Sequence, residues 1–423
     1  MNGEILCVGT ELLLGDIVNT NAAYLSRQLA QLGIGVYHQT VVGDNPARLR
    51  EAVEEALSRS DLVIMTGGLG PTYDDITKEV AAAALDLPLV WNEVAFARMQ
   101  TYFARTGRVL TENNKKQAMA PAGAVVFQND NGTAPGFGVE KEGKTLILLP
   151  GPPSEMEPMF ADQVRPFLEG KTGLTFLSRT VHLFGIGESA AETALRDLME
   201  SSQNPTVAPY AKTGEVQIRV TASAATAQEA EMLLTPVVEE ICRRMEGYVY
   251  GVDVESLQKA AVLALKAQQL TVATAESLTG GGVIRRLTEV PGASSAVRGG
   301  ICTYTDEMKR DLLGVLPETL KRHGAVSAET ALEMARGIRE KTGADIGVST
   351  TGVAGPDPSE GKAVGTVFVA VSCGWMEQVW PLQLARGTGN ERERVRHLSE
   401  NHALYGILQA VRAKKEEQYA ENL

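Results

Sequence analysis

The sequence has little histidine, cysteine and aromatic content, and these shortages narrow the chemistry that it can support. Its 423 residues include five His and four Cys, and only 5% are aromatic. No two cysteines have the Cys-x-x-Cys spacing of a zinc site or a redox motif. A lone cysteine in an apolar run usually behaves as a small hydrophobic residue. We therefore predict reduced core residues at Cys7, Cys242, Cys302 and Cys373.

An excess of positive charge and long apolar segments are also missing. The net charge of −12 argues against bulk electrostatic attraction to nucleic acid or to an anionic membrane. No apolar run approaches the roughly 18 residues that a membrane-spanning helix needs. No targeting segment precedes the strand that begins at Glu4. These features predict a cytoplasmic protein with no nucleic-acid partner and no membrane partner.

Apolar periodicity divides the chain into three parts. Residues 1–171 alternate short apolar strands with helices, which is typical of a parallel sheet covered by helices on both faces. The same alternation returns over residues 252–423. Between them, residues 172–251 form a small α+β module that carries no chemical constellation, so we interpret it as a linker or dimerisation module. The predicted fold class is therefore α/β with a small α+β middle module.

Three glycine-rich or acidic turns follow strands in the first part, and ligands of open parallel sheets bind beyond the carboxyl ends of strands. Glycines let backbone amides approach a phosphate. The adjacent carboxylates of Asp74 and Asp75 would repel a phosphate unless a hard cation such as Mg²⁺ or Mn²⁺ intervenes. A turn with N-capping Asp residues is the alternative. The turns contain Glu11, Asp16 and Asn19, then Gly67, Gly68, Gly70, Thr72, Asp74 and Asp75, and finally Gly151.

A second candidate site in the last part is centred on Ser277, which ends a strand and precedes three glycines. The Gly-x-Ser-x-Gly pattern of α/β-hydrolases is absent. No histidine lies in an evident motif, so a Ser-His-Asp triad is disfavoured. Lys309 is the alternative base, because a desolvated lysine can lose its proton near neutral pH, and Tyr304 could relay that proton. Taken alone, such a serine is more often a helix N-cap and such a lysine more often a solvated surface residue.

The first part resembles a known fold through residues 66–77, 131–136 and 149–153. These stretches are similar to the molybdopterin-binding fold shared by MoaB, MogA and the N-terminal domain of CinA, which is a three-layer domain. The resemblance implies metal-dependent hydrolysis of ADP-ribose to AMP and ribose 5-phosphate. It places Asp74 and Asp75 at the phosphates or as ligands of a divalent metal ion, with Glu11, Asp16, Asn19 and Lys115 as further candidates. A domain that binds without turnover is the alternative.

The last part resembles the amidase family of CinA and PncC. The resemblance rests on residues 275–281, on the spacing from Ser277 to Tyr304 and Lys309, and on residues 351–356. It implies hydrolysis of nicotinamide mononucleotide to nicotinic acid mononucleotide and ammonia, without a cofactor. Ser277 would be the nucleophile and Lys309, helped by Tyr304, the base. Substrate contacts would come from Thr279, Gly280, Gly281, Thr351, Gly352, Ala354, Gly355, Arg392 and Arg396.

Together the two resemblances cover nearly the whole chain and imply a bifunctional, homodimeric enzyme that recycles pyridine nucleotides. Its domains would be residues 1–171, a pyrophosphatase of molybdopterin-binding type, residues 172–251, the linker or dimerisation module, and residues 252–423, the amidase. Two other functional classes remain open. One is a molybdopterin-binding protein, and the other is a non-catalytic adaptor in competence or DNA damage.

Overall fold

The computed structural model describes residues 1–172, 174–387 and 391–421. The backbone divides into two compact units, Met1–Ser178 with Thr221–Thr235, and Arg179–Val220 with Pro236–Leu423. In the described part of the chain, no helix has both the length and the apolar character needed to cross a membrane.

Residues 1–172 build a mixed sheet. Its strand order is β2-β1-β3-β8-β7-β6. Strands β2, β1, β3 and β8 are parallel, β7 is antiparallel to β8, and β6 is antiparallel to β7. The prediction of a wholly parallel sheet is therefore wrong at this edge. The strands are β1 (Asn2–Val8), β2 (Gly35–Val42), β3 (Leu62–Thr66), β4 (Leu89–Trp91), β5 (Met119–Pro121), β6 (Val125–Phe127), β7 (Gly136–Lys141) and β8 (Lys144–Leu149), with β4 and β5 forming a separate pair.

Helices cover both faces of this sheet. Alternate residues of each strand point to opposite faces, so each strand contributes side chains to two cores. Leu6, Val63 and Met65 pack in one core, while Ile5 and Ile64 pack in the other. The result is a three-layer arrangement, and the predicted α/β class is confirmed. The helices are α1 (Thr10–Leu14), α2 (Thr20–Gln31), α3 (Pro46–Arg59), α4 (Thr77–Ala84), α5 (Glu93–Thr106), α6 (Pro153–Met159) and α7 (Arg165–Thr172), with a 3₁₀ helix at Glu112–Ala118 and a π-helix at Phe160–Val164.

The middle segment forms a four-stranded sheet of order β10-β11-β9-β12 with two helices. Residues 215–220 alternate between half-buried and buried, as their period of two predicts. The elements are β9 (Thr175–Phe184), α8 (Glu188–Ser201), β10 (Thr206–Lys212), β11 (Glu215–Ala224), α9 (Ala227–Arg244) and β12 (Val249–Val252).

The C-terminal segment is a second mixed sheet, of order β14-β13-β15-β16-β17. Strands β14, β13 and β15 are parallel, so their carboxyl ends meet at one edge. Strand β16 is antiparallel to β15, and β17 is antiparallel to β16. The elements are α10 (Leu257–Ala267), β13 (Val272–Glu276), α11 (Gly282–Thr288), β14 (Val297–Cys302), α12 (Asp306–Leu313), α13 (Pro317–His323), α14 (Ala328–Thr342), β15 (Ile346–Gly352), β16 (Thr366–Cys373), β17 (Glu377–Gln383) and α15 (Glu391–Glu421).

The four cysteines are all free, as predicted, but they do not all lie in the core. Cys7 and Cys373 are buried, whereas Cys242 is half-buried and Cys302 is exposed. The prediction of a core position for Cys302 is wrong because this residue ends β14, the edge strand of its sheet.

Candidate functional sites

Ser277 lies where β13 ends, next to the end of β15. Its amide donates to the Thr350 carbonyl at 3.0 Å, which continues the parallel pairing by one residue. The side chain is 9% exposed and borders a cavity of about 290 Å³. The cavity therefore occupies the position expected for a ligand site, beyond the carboxyl ends of parallel strands.

Lys309 is buried beside Ser277 and is not a surface lysine. It is 2% exposed, and its Nζ lies 3.4 Å from Ser277 Oγ and donates to the Thr303 carbonyl at 3.1 Å. Leu313, one turn later on α12, is also buried, so both residues lie on the inner face of that helix. Burial lowers the pKa of Lys309, since desolvation disfavours its charged form. This placement suits a lysine that acts as a base.

Tyr304 lies at the rim of the same cavity and is 58% exposed. Its hydroxyl accepts a hydrogen bond from Arg392 Nη2 at 3.2 Å, and Arg392 Nη1 donates to the Gly355 carbonyl at 2.6 Å. Arg392 thus joins the tyrosine to the loop after β15. The recorded hydrogen-bond partner of the Tyr304 hydroxyl is Arg392, and the role of Tyr304 beside the lysine stays a prediction.

Only some of the predicted substrate-binding residues reach the cavity. Thr279 is fully buried and its hydroxyl contacts Glu276 Oε2 at 2.7 Å. The Gly280 amide donates to the Ser277 carbonyl at 3.0 Å, so it is not free to hold an oxyanion. The cavity wall includes Thr351, Gly352, Ala354, Gly355 and Arg392, but not Thr279, Gly280, Gly281 or Arg396.

An acidic wall of this cavity was not predicted from the sequence. Asp306, Asp357 and Glu360 line it together with Arg392, so the cavity carries both signs of charge. The Glu360 carboxylate accepts from the amides of Ala325 and Val326, both at 3.2 Å. Asp306 lies just after Tyr304, and Asp357 and Glu360 lie just after the stretch 351–356. Their closeness to these predicted site residues is the sequence signal that could have identified them.

The N-terminal acidic turn borders another cavity, of about 350 Å³. Asp16 is exposed outside it, and Asn19 caps α2 by accepting from the Ala22 amide at 3.1 Å. Lys115 forms a surface ion pair with Glu112. The structure therefore does not bring Asp16, Asn19 or Lys115 into this cavity. The predicted residues that do line it are Glu11, Gly67, Gly68, Gly70, Thr72, Asp74, Asp75 and Gly151.

Hydrogen bonds from Thr72 and from Lys116, the neighbour of the predicted Lys115, hold the acidic turn in place. The Thr72 amide donates to Asp75 Oδ2 at 2.8 Å, and its hydroxyl contacts both carboxylates. The hydrogen bond from Thr72 lowers the pKa of Asp74. Lys116 Nζ donates to the carbonyls of Thr72 and Asp75, the latter at 2.9 Å. Lys116 is therefore the lysine that holds the turn.

The carboxylates of this cavity fit a hard divalent cation. Glu11, Asp44, Asp74, Asp75 and Glu155 line it, and no lysine or arginine is among its described lining residues. Burial raises the pKa of Glu155. Within the described ranges, no three His, Cys, Asp or Glu side chains cluster closely enough to hold a metal ion alone. Mg²⁺ usually binds one or two carboxylates together with substrate phosphates and waters, so a divalent cation here stays a prediction.

Because Gly67 has no side chain, the glycine turn can lie close to the end of β1. Its φ is +103°, and a Cβ there would lie 2.1 Å from the Val8 carbonyl oxygen. We expect Gly67→Ala to destabilise the N-terminal unit by about 3 kcal/mol or more, from the strained φ together with the clash. Gly143→Ala is the matched control, because φ is +77° there and no atom lies within 4 Å of the added Cβ.

Chemical denaturation of both glycine variants measures this difference. Gly143→Ala should lose only about 1 kcal/mol, the cost of the left-handed backbone alone. An equal loss for the two variants would show that the approach to Val8 has no energetic effect.

Comparison with known proteins assigns a family to each part of the chain. Residues 4–170 match a probable molybdopterin binding domain, residues 178–251 the damage-inducible protein CinA KH domain, and residues 254–411 the CinA C-terminal domain. The fold and sites thus define a mixed α/β protein that joins a domain of molybdopterin-binding type to a CinA C-terminal domain.

Relatives extend this match over almost the entire chain. A putative competence-damage inducible protein of Bacillus cereus (strain G9842) is 50% identical over 409 residues, which is 96% of this chain and 98% of the relative. A protein of the same description from Bacillus anthracis (strain CDC 684 / NRRL 3495) is 49% identical over the same shares. The chain therefore belongs to the CinA family.

Solved structures with similarity to parts of the chain include CinA proteins. One from Thermoplasma acidophilum, described as CinA with unknown function, is 37% identical and covers 39% of this chain and 98% of its own, with a TM-score of 0.37. A CinA superfamily protein from Escherichia coli is 34% identical and covers 37% and 89%, with a TM-score of 0.35.

Proposed function

We propose that this protein is a bifunctional hydrolase of pyridine nucleotides whose C-terminal site deamidates nicotinamide mononucleotide. The observation that carries the proposal is the buried Lys309 Nζ, 3.4 Å from Ser277 Oγ at the wall of a cavity. A serine hydroxyl is a weak nucleophile and needs an adjacent base. A lysine with a lowered pKa supplies that base without histidine.

The proposed reaction has two steps. Ser277 Oγ attacks the carboxamide carbon while neutral Lys309 accepts the hydroxyl proton, and the proton then passes to the departing ammonia. Water hydrolyses the acyl-serine, which yields the carboxylate and restores the hydroxyl. The hydrogen bond from Nζ to the Thr303 carbonyl orients the amine throughout.

The charges of the cavity suit a substrate that carries both signs. Nicotinamide mononucleotide combines a cationic pyridinium ring with an anionic phosphate. Arg392 supplies a guanidinium to the wall, and a guanidinium can bind a phosphate with two hydrogen bonds. Asp306, Asp357 and Glu360 provide negative charge for the ring. We propose that Arg392 binds the phosphate.

For the N-terminal site we propose hydrolysis of ADP-ribose to AMP and ribose 5-phosphate. The support is a glycine turn beside carboxylates that lack a basic partner in the cavity wall. A bound Mg²⁺ would neutralise the pyrophosphate and lower the pKa of a water. Gly67, Gly68 and Gly70 let the backbone approach the phosphates, and Thr72 holds Asp74 and Asp75 in place for the metal.

Product analysis of the full-length protein tests both activities. Incubation with nicotinamide mononucleotide should release ammonia in the presence of EDTA, because no metal takes part. Incubation with ADP-ribose should yield AMP with Mg²⁺ and none with EDTA. Intact substrates across a panel of divalent metals would refute the proposed activities and leave the molybdopterin-binding and adaptor classes.

Asp74→Asn should separate the two sites. Loss of one carboxylate charge should lower AMP formation by at least about tenfold at a fixed Mg²⁺ concentration, since metal affinity falls with ligand charge. Ammonia release should not change. Asp162→Asn, an exposed position in the π-helix, is the control. Unchanged AMP formation by the Asp74 variant would remove this residue from the metal site.

We also propose a cytoplasmic homodimer without a nucleic-acid or membrane partner. The net charge of −12 supports the absence of nucleic acid. Residues 178–251 contain no Gly-x-x-Gly, the loop with which KH domains clamp nucleotides.

A further inference from the structure

Arg396 contacts the turn that follows the nucleophile and does not line the substrate cavity. Its Nε donates to the Leu278 carbonyl at 3.1 Å and its Nη2 to the Thr279 carbonyl at 2.9 Å. The Thr279 carbonyl also accepts from the Gly282 amide at 3.1 Å. One guanidinium on α15 therefore holds two successive peptide groups directly after Ser277.

These hydrogen bonds add to the one from the Gly280 amide to the Ser277 carbonyl in restraining a glycine-rich turn. Gly280 and Gly281 have φ values of +60° and +89°, and glycine has the greatest backbone freedom of any residue. A peptide unit is planar, so fixing its carbonyl also fixes the direction of its N–H. Held carbonyls at Leu278 and Thr279 therefore set two peptide planes between the nucleophile and the glycines.

A second contact from the same helix places α15 against this turn. Glu400 lies one turn after Arg396, is 7% exposed and lies 3.6 Å from Arg286 Nη1. A Cβ at Gly282 would lie 2.1 Å from Glu400 Oε1, so the carboxylate packs directly on the first residue of α11. Arg396 and Glu400 thus hold opposite ends of the segment from Leu278 to Gly282.

We propose that Arg396 is a positioning residue for the nucleophile, which keeps Ser277 Oγ at the correct distance from Lys309 Nζ. This proposal rests on the proposed amidase function and assigns different roles to Arg392 and Arg396 of α15. Arg392 faces the substrate cavity, whereas Arg396 faces the backbone of the turn. Loss of Arg396 should therefore lower kcat, and loss of Arg392 should raise KM.

Kinetics of Arg396→Gln, Arg396→Lys and Arg392→Gln in the full-length protein test this assignment. We expect kcat of Arg396→Gln to fall by about 100-fold, the cost of misplacing a reacting group by about 1 Å. Its KM should stay within about threefold. Arg396→Lys should recover part of kcat, because an ammonium still donates to a carbonyl. Arg285→Gln, an exposed arginine of α11 paired with Glu289, is the matched control.

The rate at which phenylmethylsulfonyl fluoride labels Ser277 gives a readout that needs no nucleotide. The rate should fall in Arg396→Gln and stay unchanged in Arg285→Gln. If the wild-type protein is labelled but does not deamidate nicotinamide mononucleotide, the proposed function fails while the positioning role stands. A raised KM with normal kcat and normal labelling in both Arg396 variants would instead place Arg396 at the phosphate and overturn the proposal.

Discussion

Ser277→Ala is expected to lower ammonia release from nicotinamide mononucleotide by at least about 1,000-fold, because losing the nucleophile of a covalent mechanism removes the whole pathway. The hydroxyl lies beside a buried lysine at the cavity wall, and no other serine hydroxyl is recorded within hydrogen-bonding distance of Lys309 Nζ among the described residues. AMP formation from ADP-ribose should be retained, since that cavity has entirely different lining residues.

The matched control for this substitution is Ser295→Ala. Ser295 is exposed and its hydroxyl donates only to the Gly292 carbonyl of its own turn, at 3.1 Å. A coupled ammonia assay on both variants, with thermal melts to verify folding, measures the difference. Normal turnover by a folded Ser277→Ala protein would refute the nucleophile assignment.

Substitution of Lys309 should have the second-largest effect, a loss of about 100-fold to 10,000-fold in kcat/KM, the range usually contributed by a general base. Lys309→Met removes the amine and Lys309→Arg keeps a charge that cannot be lost, so both should be inactive. Lys321→Met, at an exposed position of α13, is the control. High activity of Lys309→Arg would exclude the lysine as base.

The pH dependence of the wild-type enzyme follows from the same burial. Because the pKa of Lys309 is lowered below its usual value of 10.5, the neutral base forms at lower pH than in a free lysine. We expect kcat/KM to rise with pH along a limb centred below pH 10.5. Residual activity of Lys309→Met should lack that limb.

Stability provides the check that these losses are not caused by unfolding. The folded protein binds fewer protons at Lys309 than the unfolded chain does between the lowered pKa and 10.5, so stability rises with pH in that window. At lower pH the buried charge is a destabilising contribution. Lys309→Met removes the buried amine, so below that pH window its fold should tolerate denaturant at least as well as the wild type.

Much of the fold was predictable because apolar residues recur along the sequence with the period of a helix or of a strand. The strand before Ser277 and the helix after Ser327 follow from apolar spacing, and the positions of the glycine turns follow from residue type. The antiparallel edge strands of both large sheets were not predictable in the same way. Their pairing joins residues that are neighbours only in three dimensions, such as Phe137 with Leu148.

The candidate sites likewise contain some residues that a local sequence pattern identifies and others that only the tertiary structure identifies. Ser277, Asp74 and the glycines were found because turns after strands carry a recognisable composition. Lys115 was selected in place of Lys116, since composition cannot tell which of two adjacent lysines faces inward on a 3₁₀ helix. Arg396 was predicted to contact the substrate together with Arg392, while its contacts are with the backbone of a distant turn.

The sequence by itself determined the α/β class and the family, and its resemblance to the CinA and PncC family selected Ser277, Tyr304 and Lys309 as candidates. Only the tertiary structure decided that Lys309 is buried against Ser277, that Arg392 and Arg396 have different partners, and that three carboxylates face the cavity. The physical reason is that burial and hydrogen-bond partners depend on which elements pack together. The pKa of a lysine follows from that packing, and no local pattern of residues records it.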